Sequence, residues 1–183
     1  MTRTRKPGRR LLIIVAVVFL APFVAALVLH RIGWHPDATR NQGELVDPPQ
    51  PLSGVVLHDR QGEALPLANP ERRFTWLVQL PATCSDDCLQ RLDEIHRVRY
   101  SLGRHAPKLA VRLIGTAPVP ELPASLAALD AGSGQVLAAA WNGFGQARPW
   151  SGWLVDDKGF VMLHFPAGME ARLIRRDLAR LVK

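Results

Sequence analysis

The chain's only two cysteines, Cys84 and Cys88, stand four positions apart in the stretch Pro81-Ala82-Thr83-Cys84-Ser85-Asp86-Asp87-Cys88, with two acids between them. Three kinds of chemistry are open to thiols at this spacing. A structural disulfide is the simplest, but chain entropy gives only ~3 kcal/mol for a 15-residue loop and less for a shorter one, so a five-residue loop staples little. Thiol–disulfide exchange is the second. It needs an accessible thiolate, and the unpaired N–H groups of a helix N-terminus favour one. A soft metal site is the third, because two sulfurs at i, i+4 point the same way and thiolates favour Cu(I) over hard ions.

The residues around the pair suggest how it is held. Phe74 to Leu80, FTWLVQL, is an apolar, β-rich run stopped by Pro81, which predicts a buried strand leading straight into the cysteines. Leu92, Ile95 and Leu102 then fall four, seven and fourteen positions after Cys88, which predicts a helix ending near Gly103 with Cys88 on its buried face. Cys84 falls at or just before that helix's N-terminus, which suits an attacking thiol, and Cys88 suits a resolving one. Asp86 and Asp87 fit a first helical turn but, as anions, oppose thiolate formation. A third metal ligand would be an imidazole. Spacing singles out none of His30, His35, His58, His96, His105 and His164.

Compartment decides between these chemistries. Arg3, Arg5, Lys6, Arg9 and Arg10 precede an uncharged run, Leu11 to Leu29, of 19 residues. As a helix it spans roughly 28 Å, about one hydrocarbon core. With only Arg31 close behind it, the cation bias keeps the N-terminus in the cytoplasm and exports the rest of the chain beyond the span. A cleaved signal peptide ending at Val24-Ala25-Ala26 competes with this reading. The apolar run exceeds the roughly 7–15 residues of a signal core, which favours an uncleaved anchor. The expected division is a basic cytoplasmic tail over 1–10, a transmembrane anchor over 11–30, a Pro/Gly-rich linker over 31–51 and a folded domain over 52–183. In a bacterium this is an inner-membrane, single-pass protein with its C-terminal domain in the periplasm.

Charge excludes one class of partner. The net +7 comes from 23 cations and 16 acids, but five of the cations sit in the first ten residues, leaving a balance of +2. Nucleic acid is therefore not an expected partner. The C-terminal run Arg172, Arg175, Arg176, Arg180 and Lys183 reads as the solvated face of a helix, with contact to a membrane surface or a partner as the alternative.

Periodicity places further elements. Leu52 to Leu67 reads as a strand, a turn at Asp59 to Gly62 and a second strand; Lys108 to Thr116 as a buried strand; Ser151 to Pro166 as a hairpin around Asp156-Asp157-Lys158-Gly159; Met169 to Lys183 as a helix with Leu173, Ile174, Leu178, Leu181 and Val182 inward. The boundaries between Val119 and Gly145 are not set by pattern. The predicted order, β-hairpin, β, α, β, α, β-hairpin, α, is a thioredoxin-like α/β fold with helices on both faces of the sheet.

The stretch FTWLVQLPATCSDDC resembles the strand and loop of the Sco/SenC copper-chaperone family, in which an apolar strand runs into a threonine and a Cys-x-x-x-Cys motif. Thr83, Cys84, Asp86 and Cys88 match that pattern, and Ser85 replaces its usual proline. WLVDDKGFV, Trp153 to Val161, resembles the family's aromatic-Leu-Ile-Asp-x-x-Gly hairpin, and the N-terminal anchor agrees. The likeness covers roughly Leu52 to Val182. It implies a part in cytochrome c oxidase assembly, at the copper site of subunit II, with that subunit or another copper chaperone as partner and copper as the one cofactor implied. Cys84 and Cys88 carry over as the redox pair and as copper ligands. The family's metal-binding histidine, a few residues before the hairpin, does not: Arg148, Pro149 and Trp150 stand there, and His164 lies just after the hairpin. Pro149 falls where thioredoxin folds carry a cis-proline opposite the dithiol, and a plain trans-proline opening a strand is the equal alternative. The competing expectation is a non-catalytic, membrane-tethered assembly scaffold with a structural disulfide. It would bind through Trp141 and Trp150, with Trp76 and Trp153 in the core and Trp34 at the membrane interface.

Overall fold

The structure, a computed structural model, describes residues 8–33, 40–68, 71–119, 122 and 125–183. The chain divides into two units, residues 1–40 and 41–183. The first contains α1 (Arg9–Arg31), a helix with Pro22 inside it and no acid in its first turn. Its stretch Arg10–Arg31 is long and apolar enough to cross a membrane, and it encloses the expected anchor. Trp34 and His35 lie outside the described residues.

The second unit runs β1 (Glu44–Pro51), β2 (Val56–His58), β3 (Ala64–Pro66), β4 (Phe74–Gln79), α2 (Asp86–Tyr100), a 3-10 turn (Gly103–Lys108), β5 (Leu109–Ile114), β6 (Leu126–Ala128), α3 (Ser133–Ala140), α4 (Asn142–Gly145), β7 (Gly152–Val155), β8 (Phe160–Phe165) and α5 (Ala171–Leu181). Six strands form one sheet in the order β1-β8-β7-β4-β5-β6, and β2 and β3 form a separate hairpin. β4 pairs parallel with β5 and antiparallel with β7. Its near-continuous apolar character follows from this central place, since both its faces are covered.

Period-2 alternation sorts the core into two clusters, one on each face. Trp76 and Val78 of β4, with Leu163 and Phe165 of β8, pack with Cys88, Leu92, Ile95 and Val98 of α2 and with Ile174, Leu178 and Val182. Leu77 and Trp153 pack on the other face with Leu57 and Leu67 of the hairpin, Leu137 and Phe144. Of the five residues expected inward at the C-terminus, Leu173 is half-buried and Leu181 is 40% exposed. The helix turns one narrow stripe to the sheet, and Leu181 falls off its edge.

One expectation needs correction. The linker over 31–51 is not all tether: the folded unit begins at Asn41, and Glu44–Pro51 is an edge strand antiparallel to β8. Its prolines and its lack of apolar periodicity give the segment the look of a linker. An edge strand tolerates both, because one side of its ladder is unpaired. The fold also fastens it. Asp177 of α5, only 1% exposed, accepts the backbone N–H of Gln42 at 2.7 Å and of Gly43 at 2.8 Å through Oδ2. At Gly43 a side chain would not fit, since a Cβ would stand 2.9 Å from the carbonyl oxygen of His164 and from the Phe165 ring. The open question of Pro149 is also settled. Among the described residues the cis peptide is Asp47-Pro48, so Pro149 follows a trans bond.

Candidate functional site

Strand β4 leaves the sheet's centre at Gln79, and Leu80 still donates its N–H to Ile114 at 2.8 Å, so the chain is held until just before the cysteine loop. Helix α2 begins two residues after Cys84, with Ser85 at its N-cap in extended conformation and Asp86 and Asp87 in its first turn. No side chain caps it. Leu92 and Ile95, each about 1.5–3 kcal/mol when fully buried, seat the helix on the sheet. They thereby fix Cys88 inward and leave Cys84 on the approach.

The two cysteines are joined as a disulfide with Cα atoms 5.1 Å apart. Cys88 is 3% exposed, whereas Cys84 is half-buried. The attacking and resolving positions expected from spacing are therefore distinct in access: a partner sulfur can reach Cys84 and not Cys88. The helix N-terminal N–H groups favour a thiolate here, and the two aspartates work against it. Of the cations, Arg91 lies one turn beyond Cys88 and is engaged by Glu94 at 2.6 Å and the Met169 carbonyl at 2.7 Å. The two arginines whose pKa is lowered, Arg99 and Arg112, both first by burial, sit at the far end of α2 and on β5.

The loop before β7 closes the site from the sheet side. Trp150 donates its N–H to Gln79 O at 2.7 Å, and Gln79 donates to Ser151 O at 2.8 Å, extending the β4–β7 ladder. Trp150 sits at φ 70°, a conformation unusual for a bulky residue. It packs against the same cluster that holds Cys88, as Cys84 does. Trp150 and Trp141, the contacts the scaffold reading would use, are neither fully exposed nor fully buried. Both are half-buried, and Trp141 packs edge-on against Phe144. Trp76 and Trp153 are core residues, as expected.

Among the described residues the histidines do not gather at the pair. His164 pairs across the sheet with Trp153 and stacks on its ring, and its Nδ1 lies 2.9 Å from Glu44. That is the sheet face opposite α2, since its neighbours Leu163 and Phe165 are the ones packed with Cys88. His96 bonds Ser125 at 2.8 Å, His105 accepts from Arg104, His58 lies exposed on β2, and His30 is in the last turn of α1. Among the described residues no group of three or more His, Cys, Asp and Glu is placed to hold a metal ion. The donors present at the site are two sulfurs, which does not fit the family's Cys-Cys-His set. Asp177 was the residue sequence reasoning missed. Its signal was available: a lone acid next to Leu178 and three positions after Ile174, on the inward stripe of α5.

An α/β sheet covered on both faces, with a cysteine pair between a central strand and its following helix, defines a thioredoxin-like protein. The chain belongs to the family described as transmembrane-like, thioredoxin-like, C-terminal domain, whose model matches residues 74–183. None of the curated proteins matches it. Among solved structures it is similar to the apo Sco1 protein of Thermus thermophilus, with TM-score 0.59 and 19% identity over 80% of this chain and 99% of that one. It is similar to copper-bound yeast Sco1, with TM-score 0.53 and 13% identity over 79% and 94%. A thiol:disulfide interchange protein from Bacteroides matches at TM-score 0.50 and 9% identity over 76% and 89%. At these identities the likeness shows the thioredoxin-like fold that the sequence predicted.

Proposed function

We propose that this is a membrane-anchored, exported dithiol protein that reduces a partner's disulfide through Cys84 and Cys88. The observation that carries the reading is the unequal access of the two joined sulfurs, Cys84 half-buried and Cys88 3% exposed, at the N-terminus of α2. The reduced protein's Cys84 thiolate attacks a partner disulfide and forms a mixed disulfide, releasing one partner thiolate. Cys88 then gives up its proton, attacks Cys84 Sγ and releases the second partner thiol. Two electrons pass to the partner, and the protein is left with the Cys84–Cys88 bond seen here.

Resemblance to the Sco proteins supports a partner in cytochrome c oxidase assembly, the copper-site cysteines of subunit II or another copper chaperone. Helix α1 supports an inner-membrane anchor with the domain in the periplasm, where disulfides persist. Copper belongs to the proposal as cargo. The reduced pair offers two soft sulfurs, a donor type that favours Cu(I), and Cu(I) would pass through a two-sulfur site.

Complementation tests the reading. In a bacterium lacking the protein, the double variant Cys84→Ser, Cys88→Ser is expected to leave the oxidase immature while accumulating at the wild-type level. Full oxidase maturation by that variant overturns the exchange chemistry and returns the protein to the scaffold reading.

A further inference from the structure

A second surface, between the C-terminal half of α2 and α5, is charged in a way the redox reading does not use. The folded unit from Asn41 onward is almost neutral, with sixteen cations and fifteen acids. The cations are not evenly spread. Residues 93–108 and 170–183 together carry nine cations and four acids, and one of those acids, Asp177, is 1% exposed and turned inward to Gln42 and Gly43. The C-terminal half of α2, the 3-10 turn and α5 lie side by side, as the bonds from Arg175 to Ser101 and from Lys108 to the Lys183 carbonyl show. At the margin, Asp93 and Glu170 pair with Arg97 and Arg172. A cleft of about 310 Å³ opens between α2 and α5, lined by Arg97, Arg172 and Arg175 with Ser101 and Glu94. Beside it on α2, Tyr100 is 77% exposed, and Leu181 on α5 is 40% exposed.

We propose that this face lies on an anionic phospholipid surface and takes phosphate headgroups between α2 and α5. Three observations select a bilayer as the occupant. Residues 32–40 connect α1 to the folded unit, and ten such steps reach at most roughly 35 Å. The domain is therefore never far from whatever membrane α1 crosses. The point where the chain enters the domain is fastened to the cationic helix itself, because Asp177 of α5 holds the N–H groups of Gln42 and Gly43. The chemistry of the face, arginines around one exposed tyrosine and one leucine, is that of a headgroup boundary, where an aromatic ring sits at the interface and cations meet phosphate. The proposal rests on α1 as an anchor and is independent of the disulfide chemistry, so a failure of the exchange reaction leaves it standing.

Tyr100 is the chain's single tyrosine, which supplies a single probe. The full chain, with fluorotyrosine in its place, is reconstituted into lipid discs of phosphatidylcholine alone or with phosphatidylglycerol, each holding a trace of gadolinium-chelating headgroup. The expected result is fluorine relaxation enhanced several-fold more in the anionic discs. The difference is expected to vanish at about 0.5 M salt, where screening is within a few ångströms. It should also vanish in the variant Arg172→Glu, Arg176→Glu, Arg180→Glu and persist in Lys158→Glu, a cation on the β7–β8 turn. Equal enhancement in the two kinds of disc overturns the proposal. So does protection of Tyr100 from nitration by polyglutamate but not by phosphatidylglycerol discs, an outcome that assigns the face to an acidic protein.

Discussion

Reducing the Cys84–Cys88 bond should cost little stability, and the size of that cost separates a working redox pair from a staple. The bond closes a loop of five residues, for which the chain-entropy relation gives about 2 kcal/mol at 25 °C. Reduction adds no large penalty of its own, because Cys88 remains in an apolar cluster where a thiol behaves as a small hydrophobe, and Cys84 can reach water. A domain of this length has stability on the order of 10 kcal/mol, so the reduced form stays folded. At roughly 3–5 °C per kcal/mol, the expected fall in Tm is about 6–10 °C. The assay is thermal unfolding of the full chain in detergent with and without a phosphine reductant, followed by near-ultraviolet circular dichroism. The double variant Cys84→Ser, Cys88→Ala should track the reduced wild type. A fall of more than about 20 °C, or loss of the aromatic signal at room temperature on reduction, refutes the reasoning and makes the disulfide a structural element.

Cu(I) binding by the reduced full chain, measured in competition with a chelator, should be lost in Cys84→Ser and unchanged in His164→Ala. A loss of more than about tenfold, 1.4 kcal/mol, on removing His164 would mean that its ring leaves Glu44 and crosses to the dithiol face. Asp177→Ala should destabilise the domain by about 2–4 kcal/mol, because it strands the N–H groups of Gln42 and Gly43. Asp177→Asn should cost less when both variants are unfolded in urea, since an amide oxygen still accepts. Equal costs would refute the acceptor role.

The fold was legible where one period dominated. Phe74 to Gln79 is apolar apart from Thr75 and Gln79 because β4 is covered on both faces, and the stripe from Cys88 through Val98 is the buried side of α2. Both cysteines could be placed from that pattern alone. Elements whose partners lie far along the chain were not legible. β1 has the composition of a tether and becomes a strand through pairing with β8 and through Asp177, 134 and 135 residues away. β6 has three residues, too few to show alternation, and owes its place to β5. The isolation of His164 from the cysteines was only half legible. The alternation Leu163-His164-Phe165 shows that the histidine opposes its neighbours, but not that α2 covers the neighbours' side.

That geometry also says where a third metal donor would have to stand. Arg148 lines the groove with His164 and Trp153, on the side of the sheet away from α2. Trp150, two residues on, packs with the cluster holding Cys88, and its backbone is pinned to Gln79, five residues before Cys84. An imidazole at position 150, and not at 148, therefore enters the dithiol's side of the fold. Histidine is among the residues that tolerate φ near 70° better than most, so Trp150→His should keep the loop. The reduced variant is expected to hold Cu(I) at least about tenfold tighter than wild type, a gain of 1.4 kcal/mol, while Arg148→His leaves the affinity unchanged. Equal gains from both substitutions, or a gain from Arg148→His alone, would refute the claim that the sheet separates position 148 from the cysteines.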